Sequence, residues 1–145
     1  MTKTPDNQSN ASDNLSQSSL QYKPNGTGVM RIFKALNCSM LGFKAAFKHE
    51  SAFRQELLLC LILLPVSFVI STSLAVWVSL ICSLLFLLFA EVVNSALEAL
   101  ADRISTDHHE LLGRAKDLGS SAVFIAMLVL GLVWFNAAYS YLYQL

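Results

Sequence analysis

The stretch LLLCLILLPVSFVISTSLAVWVSLICSLLFLLFAEVV, residues 57–93, carries a single charge, Glu91, in 37 positions. A hydrocarbon core of about 30 Å takes roughly 20 helical residues, so the run is too long for one span. It fits two helical spans turned at Ser71-Thr72-Ser73. The first reaches back to Ser51 and contains Pro65, a residue that kinks helices because it lacks the N–H donor. The second starts at Leu74 and continues past Glu91 towards Asp102. The charged stretch from Arg103 to Lys116 reads as a polar loop. A third span follows from Ser120 to about Tyr143, with Trp134, Tyr139, Tyr141 and Tyr143 gathered towards one end as an interfacial belt.

Composition agrees with that reading. Of 145 residues, 54% are apolar and 14% charged, and the mean hydropathy is +0.52. A soluble domain is usually about 45–50% apolar and roughly 25% charged, so a soluble enzyme, a disordered chain and a secreted disulfide scaffold are all disfavoured. Ten basic residues balance ten acidic ones, which leaves no net field to recruit nucleic acid. The three cysteines, Cys38, Cys60 and Cys82, fit no zinc or redox spacing and read as small apolar side chains.

Residues 1–28 differ from the rest. Fifteen of them are Ser, Thr, Asn or Gln, and nothing resembles the apolar core of a signal peptide; they read as a disordered polar tail. The membrane domain then covers 29–145. It opens with an amphipathic helix over about 30–48, where Ile32, Phe33, Leu36, Met40, Phe43 and Phe47 recur at spacings of three and four among Arg31, Lys34, Lys44 and Lys48. An aromatic, basic helix beside a membrane span suits the plane of an anionic leaflet. The expected fold is therefore an all-α membrane protein with three spans, about 51–70, 74–93 and 120–143, and an N-terminal surface helix. Lys and Arg cluster before the first span and between the second and third, and are absent from the Ser71–Ser73 turn and the C-terminus. The positive-inside rule puts the N-terminus and the 103–117 loop in the cytoplasm and the C-terminus outside.

Chemistry concentrates in Glu91-Val-Val-Asn-Ser-Ala-Leu-Glu-Ala-Leu-Ala-Asp102. At about 100° per residue, Asn94, Glu98 and Asp102 lie about 60°, 20° and 20° from Glu91, so all four share one helix face, with Ser95 beside them. Glu91 follows the apolar run Ile81–Ala90 and sits at the bilayer edge. An ionised carboxylate at a span's centre costs about 2.5–3.5 kcal/mol on insertion scales, which marks such residues for function. The plainer reading is a helix simply leaving the membrane, with Glu98 and Asp102 solvated. A second acidic group, Glu50 and Glu56, lies in His49-Glu-Ser-Ala-Phe-Arg54-Gln-Glu56. Glu50 and Arg54 can pair across one helical turn, or Glu50 can join other carboxylates around a hard divalent cation such as Mg²⁺, which takes oxygen ligands, waters and phosphates. Gly113-Arg-Ala-Lys116-Asp117-Leu-Gly119 offers cations to a phosphate chain. No Walker A loop or soluble-kinase signature is present.

Three motifs together resemble the prokaryotic diacylglycerol kinase family, small integral-membrane lipid kinases. They are E-x-A-F-R-Q-E at Glu50–Glu56, E-x-x-N-S-A-x-E-x-x-x-D at Glu91–Asp102 and H-E-x-x-G-R-A-K-D-x-G-S at His109–Ser120. The resemblance covers roughly residues 29–143. It implies a homotrimer in the bacterial inner membrane, with active sites between subunits at the cytoplasmic interface, where ATP and Mg²⁺ phosphorylate diacylglycerol. By that likeness Glu91 is the proton acceptor, with Asn94 beside it, and Glu50 and Glu98 hold the metal. Arg31, Glu50, Glu98, His109, Lys116 and Asp117 contact ATP. Arg31, Ser39, Glu56, Glu91 and Ser120 contact the lipid. Cys38 stands where better-known members have an aromatic, and Asp107-His108 replaces an acidic–aromatic pair.

Two other readings stay open on sequence. Undecaprenol kinase has the same architecture with a polyprenol hydroxyl as acceptor. A small transporter would use Glu91 as a proton or cation carrier, but its path would need polar groups at both membrane faces, and the outer ends carry no such cluster.

Overall fold

The computed structural model describes residues 28–105 and 109–144. The expectations for the tail up to Thr27 and for Asp107-His108 fall outside them. Four helices make up the described chain: α1 (Val29–His49), α2 (Ser51–Ile70), α3 (Leu74–Ile104) and α4 (Glu110–Tyr143). By its contacts the chain divides at residue 38. The first unit contributes Gly28–Cys38, the exposed opening of α1, and the second holds everything from Ser39 onward.

A single extended residue, Glu50, separates α1 from α2. Arg54 makes that break possible. Its Nη1 donates to the Phe47 and Lys48 carbonyls at 3.0 and 3.4 Å, satisfying acceptors that a helix C-terminus leaves open. Arg54 thus caps α1 and, among the described residues, makes no ion pair with Glu50. The α2–α3 turn is set by Ser73, whose hydroxyl accepts the Val76 N–H at 3.3 Å as an N-cap. Phe68 and Trp77 pack across it with ring centroids 5.2 Å apart.

The chain departs from expectation after α3. Arg103–Lys116 is not one loop: helix resumes at Glu110 and runs unbroken for 34 residues. His109 starts it, its Nδ1 accepting the Leu111 N–H at 3.3 Å, and Glu110 lies in the first turn, where a carboxylate meets the positive end of the helix dipole. Polarity, which made the segment look like a loop, reflects position: at about 1.5 Å per residue α4 is about 51 Å long and outruns the bilayer core. Its first turns, like the last turns of α3, project beyond the apolar zone.

All three of α2, α3 and α4 are long and apolar enough to cross a membrane. The main packing is α3 on α4, with α2 against α3 and least against α4. Cys60 of α2, Leu84, Leu87 and Ala90 of α3, and Val123, Ala126 and Leu130 of α4 form the buried cluster. Ala90 and Ala126 keep the backbones close, which is how helices associate where lipid removes the hydrophobic drive. One chain covers little of itself. Only 22% of the apolar window of α2 and of α4, and 33% of that of α3, is buried. The remainder is a surface for lipid or for further copies.

Candidate active site

At the α1-proximal end the helices bury carboxyl and amide side chains. Glu56 on α2 and Glu91 and Asn94 on α3 are 6%, 3% and 8% exposed, where an unpaired carboxylate is costly. Their local sequence explains the placement. Glu91 and Asn94 lie on the α3 face that continues Leu84 and Leu87 into the core, and Glu56 is one turn from Cys60 on the inward face of α2. They open into a groove of about 390 Å³ whose floor and rim are Ala52, Glu56, Glu91, Asn94, Glu98, Ser120, Val123, Phe124 and Met127. All three membrane helices contribute. One wall is carboxyl and amide; the other, from α4, is apolar apart from Ser120.

Hydrogen bonding within the groove is incomplete. Asn94 Nδ2 donates to Glu98 Oε1 at 2.9 Å, one turn along the same helix. Asn94 Oδ1 and Glu56 Oε2 are buried with no hydrogen-bond partner. Buried polar atoms are nearly always satisfied in native proteins, so two orphans in one groove mark acceptors awaiting a donor from outside the chain. Gly119 of α4 sets the position of Asn94, because a Cβ there would land on Asn94 Oδ1. The charges of Glu98 and Glu50 are felt at Glu91, and that of Glu91 at Glu56. Four carboxyls therefore share one electrostatic neighbourhood.

The remaining sequence-derived residues lie around this groove or apart from it. Glu50 lines a second groove of about 330 Å³, between Gly42, Ala45, Ala46 and His49 on one side and Val92, Ser95, Ala96 and Ala99 on the other. Glu50 and Glu98 are thus brought near the same Glu91 but from different grooves. Lys116 forms an ion pair with Asp102, joining α4 to α3. His109 is occupied as the α4 cap. Asp117 is exposed, and its carbonyl accepts the Ser121 hydroxyl at 2.8 Å. Ser39 is exposed on α1, and Arg31 lies in the first unit, its N–H bonded to Gly28 O at 3.1 Å.

Sequence reading named Ser95, Asp102 and Gly119 but missed the surroundings of each. Ser95 is 9% exposed with an unpartnered hydroxyl, Gly119 is the contact for Asn94, and Asp102 is the partner of Lys116. A helical wheel places Ser95 near the acidic face, but only the structure shows that it opens on the second groove. The other two are contacts between helices, which no spacing within one helix reveals.

Fold and site together define a multi-pass α-helical membrane protein with a carboxyl-lined groove at one end of its spans. The sequence model of the prokaryotic diacylglycerol kinase family matches residues 37–137, and the chain belongs to that family. It is 44% identical over 108 residues to the diacylglycerol kinase of Haemophilus influenzae, covering 74% of this chain and 92% of that one. Against the diacylglycerol kinase of Pseudomonas aeruginosa it is 44% identical over 108 residues, covering 74% and 88%. Against that of Escherichia coli K12 the identity is 43% over 110 residues, covering 76% and 90%.

Proposed function

We propose that this chain phosphorylates diacylglycerol to phosphatidic acid with ATP and Mg²⁺, at the cytoplasmic face of the bacterial inner membrane. The observation that carries the reading is the groove in which buried Glu91 and Glu56 sit beside an Asn94-held Glu98, at the polar end of three apolar helices. Kinship with proteins named diacylglycerol kinase supplies the reaction and the acceptor lipid. The chemistry suits the place: diacylglycerol keeps its free hydroxyl near the bilayer edge, where a soluble nucleotide can meet it.

In this reading Glu91 accepts the hydroxyl proton as that oxygen bonds to the γ-phosphorus of ATP, and the bond from the γ-phosphorus to the bridging oxygen breaks to release ADP. Asn94 orients Glu98 through the 2.9 Å bond. Glu56 and Ser120 line the lipid side, with Val123, Phe124 and Met127 as the apolar wall, and Ser39 and Arg31 of α1 are assigned to the lipid by the family resemblance. Lys116, Arg31, His109 and Asp117 serve the nucleotide.

Carboxylate oxygens suit a hard divalent ion, although within one chain Glu50 and Glu98 line different grooves. Among the described residues no three His, Cys, Asp or Glu side chains gather as a ready cage, but Mg²⁺ is usually held by one or two carboxylates, with waters and substrate phosphates completing the octahedron. Glu50 makes no capping hydrogen bond with its side chain, and Glu98 engages Asn94 through one oxygen. These two would hold the ion. When bound, Mg²⁺ supplies neutralisation of the β- and γ-phosphate charge. The low self-coverage of the spans leaves surface for further copies, as the homotrimer implied by the family resemblance requires. The distribution of Lys and Arg supports a cytoplasmic N-terminus and an outward C-terminus.

The test uses purified protein in mixed micelles with γ-labelled ATP, Mg²⁺ and diacylglycerol, undecaprenol or no lipid. Label in phosphatidic acid is the expected result. Label confined to the polyprenol phosphate would replace the substrate and keep the groove chemistry. No lipid-dependent label from folded protein would overturn the kinase reading.

A further inference from the structure

Lys116 is held in the free chain, and what holds it is a carboxylate outside the groove. Asp102, two residues before the end of α3, accepts a hydrogen bond from Lys116 Nζ, two turns into α4. The pair ties the last turns of α3 to the first turns of α4. A fold-stabilising role explains little of it. Both side chains are exposed, 40% for Lys116 and 60% for Asp102, and such pairs contribute little to stability. Its location is more informative. Glu98 lies one turn from Asp102 on the same helix, and its charge also reaches Lys116. The ammonium is thereby held at Asp102, one helical turn from the carboxylate assigned to the metal. An ammonium has three donors; Asp102 takes one, and two remain for phosphate oxygens.

We propose that Asp102 is a positioning residue for Lys116: it anchors the ammonium beside the last turn of α3 so that its remaining N–H donors meet the phosphates of ATP. Lysine is a compact charge on a long flexible stem, and fixing the stem before binding removes ordering that the nucleotide would otherwise have to impose. The inference rests on the kinase reading of this site.

The experiment measures KM for ATP, KM for diacylglycerol and kcat for the full chain in mixed micelles. The variants are Asp102→Ala, Asp102→Asn, Asp102→Glu, Lys116→Ala and the double Asp102→Ala/Lys116→Ala. Asp102→Ala raises KM for ATP by about 3–10-fold while KM for the lipid stays put, the size expected from one exposed charge-assisted bond. Asp102→Glu restores most of the loss, and Asp102→Asn falls between. In the Lys116→Ala background, removing Asp102 adds nothing, because the two act as one unit. A lower KM for ATP in Asp102→Ala would mean that Asp102 competes with phosphate and would overturn the proposal. So would an undiminished Asp102→Ala effect without Lys116. If Lys116→Ala itself leaves KM for ATP unchanged, the phosphate role of Lys116 fails first, and the assignment to Asp102 falls with it.

Discussion

Both ends of the packed helices bury polar side chains, but the unsatisfied buried oxygens gather at one of them. Towards the α2–α3 turn, Ser67 is fully buried and its hydroxyl donates to Leu64 O at 2.6 Å. Ser83 donates to Leu80 O at 2.7 Å and accepts from Trp134 Nε1 at 3.2 Å. Each polar group there repairs the backbone or ties α3 to α4. Towards the α1–α2 break, Glu56 Oε2, Asn94 Oδ1 and Ser95 Oγ are equally buried and unpartnered. The exception at the far end is Trp77 Nε1, buried without a partner beside Phe68. Satisfied burial builds the helix pair, and unsatisfied burial around carboxylates leaves capacity for ligands. A hydroxyl can bond its own helix, whereas a buried carboxylate needs a donor or cation that this helix does not offer.

The largest expected effect tests that contrast directly. Glu91→Gln keeps the shape of the groove and removes the carboxylate proposed as the base, so kcat falls by about 10²–10⁴, the usual worth of general-base catalysis. Helix content and elution position stay those of the unsubstituted protein. Unaltered turnover would mean the orphaned end is merely loosely packed. Next in size is Glu98→Gln. It leaves a side-chain oxygen for Asn94 but removes the charge, and it shifts the Mg²⁺ needed for half-maximal activity upward by about 10–100-fold. Glu50→Gln moves in the same direction. A fall in activity with unchanged Mg²⁺ dependence would assign both residues elsewhere.

How much of this was legible beforehand follows the same divide. Hydropathy fixes apolar helices well, because every backbone group in lipid must be bonded internally; the three long helices, the all-α class and the family were all open to the sequence. The polar end was legible only along single helices. The shared face of Glu91, Asn94 and Glu98 follows from a period of 3.6, and the groove does collect those three. Arg54 was read as a candidate partner for Glu50, but two open carbonyls of α1 take it instead. Glu110–Lys116 was read as loop because its charges hide a helix that a histidine cap starts. The Asp102–Lys116 pair spans fourteen positions and a chain reversal, a distance at which spacing carries no information.

A smaller effect probes how the two ends join. Gly119→Ala places a methyl against Asn94 Oδ1, where it meets a side chain already bonded to Glu98. Overpacking of this kind costs about 1–3 kcal/mol. The displaced Asn94 releases Glu98, and activity drops on the order of tenfold, about the rate equivalent of 1.4 kcal/mol. Gly131→Ala is the control, since a Cβ there meets nothing within 4 Å. It leaves activity alone and adds helix propensity worth up to about 1 kcal/mol. Equal behaviour of the two alanines would remove Gly119 from the account of Asn94.

The smallest effect belongs to the satisfied end. Ser83→Ala deletes a hydroxyl that serves two partners, and only one of them suffers. Leu80 O keeps its place in the α3 ladder, while Trp134 Nε1 loses its acceptor. Hydrogen bonds between membrane helices average about 0.6 kcal/mol in double-mutant cycles, so unfolding in detergent shifts by about that much and turnover stays within about twofold. Adding Trp134→Phe removes the stranded N–H together with its partner, and the pair then costs less than the sum of its parts. If Ser83→Ala slowed turnover as much as Gly119→Ala, buried polar groups at the two ends would be energetically alike. The unpartnered oxygens of Glu56 and Asn94 would then no longer set the carboxyl-lined end apart as the place where ligands bind.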